Sequence, residues 1–207
     1  MICDGIIFDL DGTLWDSVDE IIMTWNHVIE KNGSFRKPID RAEQESVMGL
    51  PMDEIARRLF PEELPQRQAE LMEECVQEEN AYLEEHGATL YPGVEETLRA
   101  LSGKYKLCIV SNCQKGYIEG FLKAHNLKKY ISDHLCYGDT LLTKGENNRI
   151  VADRNGFKHP VYVGDTQGDL QSAMDAGMPF VFCEYGFGSV THYDEKVEAF
   201  ADLINLF

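Results

Sequence analysis

The N-terminal stretch MICDGIIFDLDGTLWDS, residues 1–17, decides the fold class of this chain. Its first part is almost unbroken in apolar residues and runs straight into Asp9, Asp11 and Gly12. Asp-Gly is ordinary turn chemistry, but two carboxylates at the end of one buried strand repel each other and need a reason to be there. We expect four side chains of the stretch to be buried on both faces of an inner parallel strand: Ile2, Ile6, Ile7 and Phe8.

The composition limits the partners that the protein can bind. Its 207 residues include 36 acidic and 19 basic side chains, which give a net charge of -17. So acidic a surface repels phosphate at long range, which excludes nucleic acid and anionic membranes as expected partners. Any phosphate must therefore be held locally, by a metal ion or by a few well-placed donors.

The cysteines and the apolar runs indicate the cellular compartment of the protein. None of the six cysteines forms a CxxC motif, and buried or idle thiols are typical of a reducing cytosol. Asp4 and Asp9 interrupt the apolar start, so it does not match a secretory signal, and no apolar run has the length of a membrane span. The sequence predicts a cytoplasmic protein.

The order of the predicted helices and strands along the chain indicates two domains. Residues 16–87 carry helical patterns only, whereas helices and short apolar strands alternate from Tyr91 onward. Such alternation is typical of a parallel sheet with helices on both faces. We expect an α/β, Rossmann-like core formed by residues 1–15 and 88–207, with an inserted all-helical cap domain at residues 16–87 and a closing helix over the last ten residues.

Polar residues follow three of the predicted strands. The first strand ends at Asp9 and Asp11, a second at Ser111-Asn112, and a third runs into the segment 164–169, GDTQGD. Open parallel sheets bind ligands beyond the carboxyl ends of their strands, so these groups should meet in one crevice. Lys144, which precedes a predicted helix, is a natural cation to join them.

Electrostatics then indicates a metal site. Two carboxylates about 4 Å apart repel by roughly 4 kcal/mol at an effective dielectric constant of about 20. Three or four of them beside a bound phosphate need more than the single charge of Lys144. A divalent ion ligated by oxygen, which we expect to be Mg²⁺, meets that need and explains why Asp9 and Asp11 lie together at the end of one strand.

The motifs, taken together, resemble those of a known superfamily. They are the segment 9–14, DLDGTL, then Ser111-Asn112, Lys144 and the segment 164–169, in that order along the chain. The chain is similar to the haloacid dehalogenase superfamily, and specifically to phosphatases close to phosphoglycolate phosphatase that carry a helical cap. The resemblance covers nearly the whole length and implies a Mg²⁺-dependent phosphoric monoester hydrolase.

The resemblance implies catalytic and metal-binding roles. Asp9 would attack phosphorus and form an aspartyl-phosphate, and Asp11 would protonate the leaving oxygen and later accept a proton from water. Mg²⁺ would be held by Asp9, by the backbone carbonyl of Asp11 and by Asp165. Asp169 would either bind the metal through a water molecule or orient Lys144.

Further residues are implied for phosphate and substrate. Ser111 and Lys144 would hold the phosphoryl oxygens together with backbone N–H groups near Gly12 and Asn112. A cap loop around Gly49 is hypothesised to cover the active site. Trp15 could lie at the mouth of the pocket or in the core, and both interpretations stay open.

Two alternatives to a phosphatase remain at this stage. A sugar-phosphate mutase similar to β-phosphoglucomutase uses the same core, and a non-catalytic module that binds a phosphorylated ligand is the rival from another class. The expected partner is a small phosphorylated metabolite that the sequence does not identify. The expected assembly is a monomer or a homodimer.

Overall fold

The computed structural model describes residues 2–33 and 36–207. The strands within these residues are β1 (Gly5–Phe8), β2 (Trp15–Asp16), β3 (Thr89–Leu90), β4 (Lys106–Ser111), β5 (Asp133–Cys136), β6 (Pro160–Gly164), β7 (Phe180–Cys183) and β8 (Glu195–Val197). The helices are α1 (Val18–Lys31), α2 (Arg41–Glu45), α3 (Met52–Leu59), α4 (Pro65–His86), α5 (Val94–Ser102), α6 (Tyr117–Ala124), α7 (Tyr137–Thr140), α8 (Lys144–Asn155), α9 (Gln167–Ala176) and α10 (Leu203–Leu206). Short 3₁₀ turns occupy Lys128–Tyr130 and Phe200–Asp202.

The main sheet is parallel and has the order β5-β4-β1-β6-β7-β8. Its inner strand β1 pairs with β4 on one side and β6 on the other, so that Phe8 lies between Ile109 and Val163. The carboxyl ends of all six strands therefore meet at one edge. The predicted α/β class with a Rossmann-like parallel sheet is confirmed, while β8, which has only three residues, was not predicted.

The strand β1 is buried on both faces, as its apolar run predicts. Ile7 packs into a cluster with residues of α8 and α9, and Phe8 packs into a second cluster with residues of α5 and α6. Successive residues of a strand point to opposite faces, so each face of the sheet has its own helical layer. The expectation for Ile2 was wrong, because the strand begins only at Gly5 and Ile2 is 82% exposed.

The helices α1 to α4 form a block with its own apolar core. That core includes Trp25 of α1, Ile55 of α3 and Leu71 and Cys75 of α4, and it is separate from the two clusters on the sheet. The block is joined to the sheet through the antiparallel ribbon β2–β3, in which Trp15 pairs with Leu90. The separation of the cores supports the predicted domain boundaries, which stay a prediction.

The C-terminal residues and the short helix α2 differ from the expected pattern of helices. The last ten residues form a 3₁₀ turn and the one-turn helix α10 rather than a single closing helix. The helix α2, five residues long, also escaped prediction because so short a segment shows no complete helical period. No helix among the described residues has the length and apolar character needed to cross a membrane.

Candidate active site

Three carboxylates converge at the carboxyl edge of the sheet. Asp9 follows β1, Asp165 follows β6, and Asp169 lies in the first turn of α9. All three side chains are buried, and one oxygen from each lies within 4.8 Å of the others. The adjacency of β1 and β6 in a parallel sheet produces this cluster, as the sequence pattern predicted.

Lys144 supplies the positive charge of the cluster. Its Nζ donates to Asp9 Oδ1 at 2.8 Å and to Asp169 Oδ1 at 2.6 Å, and its side chain is 5% exposed. Lys144 is the first residue of α8, whose start is fixed by a capping box between Thr143 and Glu146. Although burial disfavours its charge, the carboxylates of Asp169 and Asp9 raise the pKa of Lys144 well above the ordinary value.

The cluster carries more negative charge than Lys144 can balance. Burial and the charge of Asp169 raise the pKa of Asp9 to about 7 against the opposing effect of Lys144. Burial, Asp169 and Asp9 likewise raise the pKa of Asp165 well above its ordinary range. Three carboxylates and one ammonium group leave two uncompensated negative charges, which is the environment that a divalent cation fits.

Asp169 is held by hydrogen bonds on both oxygens. Oδ1 accepts from Lys144, and Oδ2 accepts from the Thr166 backbone N–H at 2.9 Å and from the Thr166 hydroxyl at 2.7 Å. Burial alone would raise the pKa of Asp169, but Lys144 and the Thr166 bonds lower it below the ordinary value. These bonds fit a residue that orients Lys144, although the position of Asp169 in the cluster also allows it to contact a metal.

Two glycines permit the backbone to approach Asp165. Gly12 has a φ of +79°, and a Cβ atom there would lie 2.2 Å from Asp165 Oδ2. A Cβ atom on Gly186 would lie 2.3 Å from the Cβ of Asp165. Asp165 also accepts a hydrogen bond from the Phe187 backbone N–H at 2.8 Å, so the loop after β7 closes over this carboxylate.

Asp11 lies outside the carboxylate cluster and has its own partners. Its Oδ1 accepts from Trp15 Nε1 at 2.7 Å, from the Ser17 hydroxyl at 2.7 Å and from the Tyr117 hydroxyl at 2.8 Å. Burial raises the pKa of Asp11, and the bonds from Ser17, Tyr117 and Trp15 oppose that rise. A hydrogen-bonded carboxyl with a raised pKa is suited to proton transfer.

The structure resolves the open question about Trp15. The side chain is fully buried and meets Phe121 edge to face, with ring centroids 4.9 Å apart. Its indole contacts Asp11, and it does not line the cavity beside that residue. Of the two interpretations left open for Trp15, the structure favours the core, from which its indole holds Asp11 in position.

A small cavity separates the sheet edge from the helical block. Asp11, Ser111 and Asn112 line its floor, and Gly49 and Glu79 lie among the residues from the helical block that line it. The Asn112 side-chain amide donates to the Gly49 carbonyl at 2.8 Å, so this amide contacts the cap loop. The volume of the cavity is about 30 Å³, enough for one or two water molecules.

Comparison with known proteins identifies the family. A family model described as haloacid dehalogenase-like hydrolase matches residues 6–183. The chain belongs to this family. The match contains every predicted site residue, from Asp9 to Asp169, and confirms the resemblance drawn from the motifs.

Individual relatives indicate the enzyme class to which this chain belongs. Phosphoglycolate phosphatase from Escherichia coli is 27% identical, and the alignment covers 94% of this chain and 84% of the relative. A crystal structure of a predicted phosphoglycolate phosphatase from Haemophilus somnus has a TM-score of 0.85 at 23% identity and covers 98% of this chain and 97% of its own. CbbY from Rhodobacter sphaeroides in complex with xylulose-(1,5)bisphosphate has a TM-score of 0.83 at 18% identity, covering 98% and 96%. The predicted enzyme class, a phosphoric monoester hydrolase, is confirmed.

Three residues that contact Asp11 or line the cavity beside it were not found by sequence analysis. Ser17 precedes α1, yet its hydroxyl bonds to Asp11 and makes no capping bond to the helix. Tyr117 lies on α6, where the sequence is equally consistent with a residue of the apolar stripe. Glu79 lies on α4, where it is equally consistent with a residue of a solvated acidic face. Since no motif marks them, only the packing of the helical block against the sheet reveals them.

Proposed function

We propose that this chain is a Mg²⁺-dependent phosphatase that hydrolyses a small phosphorylated metabolite through an aspartyl-phosphate on Asp9. The observation that carries the proposal is the buried group of Asp9, Asp165, Asp169 and Lys144 at the end of β1. Membership in the haloacid dehalogenase-like family and the relatives named as phosphatases support it.

Asp9 is the proposed nucleophile. Asp9 Oδ1 is hydrogen-bonded to Lys144, which leaves Oδ2 to attack phosphorus in line with the departing oxygen. Asp9, Asp165 and the backbone carbonyl of Asp11 would hold the Mg²⁺. The ion would neutralise the crowded carboxylates and the negative charge of the phosphoryl group. Asp169 keeps Lys144 in place.

Asp11 is the proposed acid and base. Its three hydrogen bonds from described residues all reach Oδ1, so Oδ2 is the atom left to deliver a proton to the leaving oxygen. The same atom would then accept a proton from the water that hydrolyses the aspartyl-phosphate. Its position on the floor of the cavity, between the sheet edge and the helical block, suits both steps.

Ser111 and Lys144 are proposed to bind the phosphoryl oxygens, with backbone N–H groups near Gly12 and Asn112. Residues 16–87 would act as a cap on a core of residues 1–15 and 88–207, and the loop around Gly49 would close the site. The Asn112–Gly49 hydrogen bond supports this closed arrangement. A closed site excludes bulk water during phosphoryl transfer and favours small substrates.

Trapping the intermediate tests the proposal. The enzyme is mixed with p-nitrophenyl phosphate and Mg²⁺, quenched in acid and reduced with borohydride, which converts an aspartyl-phosphate into homoserine. Peptide mass spectrometry should find homoserine at position 9, and EDTA should prevent both the conversion and the release of phosphate. The Asp9→Asn variant should show neither. Steady release of phosphate without any modification at position 9, or release that EDTA leaves unchanged, contradicts the proposal.

The alternatives gain no specific support. No observation within residues 2–33 and 36–207 favours a mutase over a phosphatase, and the retained nucleophile and acid argue against a module that only binds. The predicted cytoplasmic location and the predicted monomer or homodimer stay predictions.

A further inference from the structure

Glu79 is a buried carboxylate that the proposed mechanism does not use. It lies on α4, is 2% exposed, and lines the same cavity as Asp11 and Ser111. Trp25 Nε1 donates to its Oε2 at 2.6 Å, and Gln114 Nε2 donates to its Oε1 at 3.2 Å. Both partners are neutral, in contrast to the lysine that balances Asp9 and Asp169.

The rest of the cavity wall offers acceptors and apolar surface. Gln44 and Gln114 both line it, are 1% and 7% exposed, and each has a buried Oε1 without a hydrogen-bond partner. The orientation of Gln114 is fixed, because its Nε2 donates to Glu79 and also to Asn80 Oδ1 at 3.0 Å. Apolar side chains, among them Ile21, Leu50 and Ile55, form much of the remaining wall.

Positive charge is missing from this wall. Among the described residues that line the cavity there is no lysine, arginine or histidine. Lys144 contacts Asp9 and Asp169 at the phosphoryl end of the site and is not among the residues that line this cavity. A second anionic group on the substrate would thus be buried beside a carboxyl group, with no cation to pair with it.

We propose that the site accepts phosphomonoesters whose leaving group donates hydrogen bonds through hydroxyl or ammonium groups and carries no second anion. The inference rests on the proposed phosphatase activity and names the substrate class for that activity. Hydroxyl or ammonium donors would satisfy the unpartnered Oε1 atoms of Gln44 and Gln114 and add a bond to Glu79, whereas a carboxylate or a second phosphate would leave both glutamine oxygens unsatisfied.

The inference holds for either protonation state of Glu79. Burial raises its pKa to about 8, against the hydrogen bonds from Gln114 and Trp25. When it is ionised, Glu79 repels a second anion and pairs with an ammonium group. When it is neutral, a second anion is still buried without a counter-charge, which costs more than the burial of a hydroxyl that finds an acceptor.

Three phosphates of equal chain length test the selectivity. Hydroxyethyl phosphate, phosphoethanolamine and phosphoglycolate differ only in the end group, which is a hydroxyl, an ammonium or a carboxylate. We expect kcat/KM to be at least about tenfold higher for one or both of the first two than for phosphoglycolate. Which of the two is faster tells whether an ammonium group or a hydroxyl is recognised. Phosphoglycolate hydrolysed as fast as the better of the two, or faster, overturns the inference.

A general substrate separates the two levels of the argument. Release of phosphate from p-nitrophenyl phosphate with Mg²⁺, combined with a preference for phosphoglycolate, overturns the inference and leaves the proposed function standing. No Mg²⁺-dependent release from any of the four phosphates overturns both.

Variants assign the selectivity to Glu79. At about pH 9, where Glu79 with its pKa of about 8 is ionised, the Glu79→Gln variant should shift the kcat/KM ratio at least about tenfold towards phosphoglycolate, mainly through KM. The matched control is Glu78→Gln, the exposed neighbour on the same helix, which should leave the ratio unchanged. Should Glu79→Gln fail to fold, Met48→Lys adds a cation to the same cavity and should shift the ratio in the same direction. A folded variant that leaves the ratio unchanged contradicts the assignment.

Discussion

Buried carboxylates lie on both sides of the cavity, and their surroundings differ. On the sheet side, Asp9 and Asp169 bond to Lys144, and the cluster with Asp165 has the geometry of a metal site. On the helical side, the described residues that donate to Glu79 are Trp25 and Gln114, and both are neutral. Charge compensation therefore belongs to the sheet side, the proposed phosphoryl end, while the helical side, the proposed leaving-group end, offers hydrogen-bond acceptors.

This difference in charge compensation explains how one small site could attract the phosphate anion at one end of a substrate and disfavour an anion at the other end. A phosphate dianion requires cations, and the sheet side supplies Lys144 together with the proposed Mg²⁺. Among the described residues that line the cavity there is no lysine, arginine or histidine, so the helical side of the cavity penalises a second anion rather than attracting it. If both proposals hold, the sheet edge carries the chemistry and the inserted helices carry the selectivity.

Removing the compensating charge should have the largest effect. In Lys144→Met, Asp9 and Asp169 lose their cation in a buried environment, which we expect to cost about 3 kcal/mol in the free energy of unfolding. Phosphate release should fall by about 10³-fold, because the phosphoryl oxygens lose a charged donor. Urea denaturation and steady-state assays measure the two effects.

Lys115→Met is the matched control for this prediction. Lys115 is exposed and lies four residues after Ser111, so its loss should change stability by less than about 0.5 kcal/mol and leave turnover unchanged. Equal effects of the two substitutions would mean that Lys144 does not neutralise the cluster.

Removing the uncompensated charge should have the opposite sign. The pKa of Glu79 is about 8 in the folded protein and 4.5 as an ordinary glutamate, so ionisation of Glu79 destabilises the fold. The penalty is absent below about pH 4.5, where the group is protonated in both states, grows as the pH rises to 8, and is constant above it. Glu79→Gln should therefore raise the free energy of unfolding by about 2 kcal/mol or more at pH 8.5.

Stability measured at two pH values checks this prediction. Glu79→Gln should gain little over the wild type at pH 5 and most of its advantage at pH 8.5, in urea denaturation. Glu78→Gln, at an exposed site, should show no such dependence. An advantage of Glu79→Gln that is equal at both pH values would place the effect in packing rather than in ionisation.

The two sides of the cavity also differ in how far the sequence predicts them. Asp9 and Asp165 follow strands, and Ser111 ends one, whose apolar runs are visible in the sequence. Parallel pairing alone brings such strand ends to one edge. The position of Lys144 depends on where α8 begins. The sequence predicts a helix at this point, and Lys144 stands between the second and the last motif. The sheet and its phosphoryl end were thus accessible to sequence reasoning.

The helical side was not accessible in the same way. Glu79 belongs to a helix rich in glutamate, where one buried member looks like its exposed neighbours until the helix is packed. The role of Trp15 depended on the rotation of its ring towards Asp11, which no pattern encodes. The ribbon β2–β3 has two residues in each strand, too few for an alternating pattern to show.

Asp11 lies between the two sides, and Tyr117 offers the smallest and most specific change. The Tyr117 hydroxyl donates to Asp11 Oδ1 and also bonds to Ser17, so Tyr117→Phe removes one of three hydrogen bonds that lower the pKa of Asp11. The pKa of Asp11 should rise. The alkaline limb of the kcat/KM profile, which reports loss of the proton that Asp11 delivers, should move to higher pH.

The change in turnover should be modest, about tenfold or less in kcat, because Trp15 and Ser17 still hold the carboxyl group. Tyr193→Phe is the control, since Tyr193 is 43% exposed and should alter neither the rate nor the profile. A Tyr117→Phe profile that keeps its alkaline limb while kcat falls would show that Tyr117 acts only through packing against Trp15. A limb that moves, together with unchanged selectivity between phosphoethanolamine and phosphoglycolate, would place Asp11 with the chemistry of the sheet side and leave recognition to Glu79.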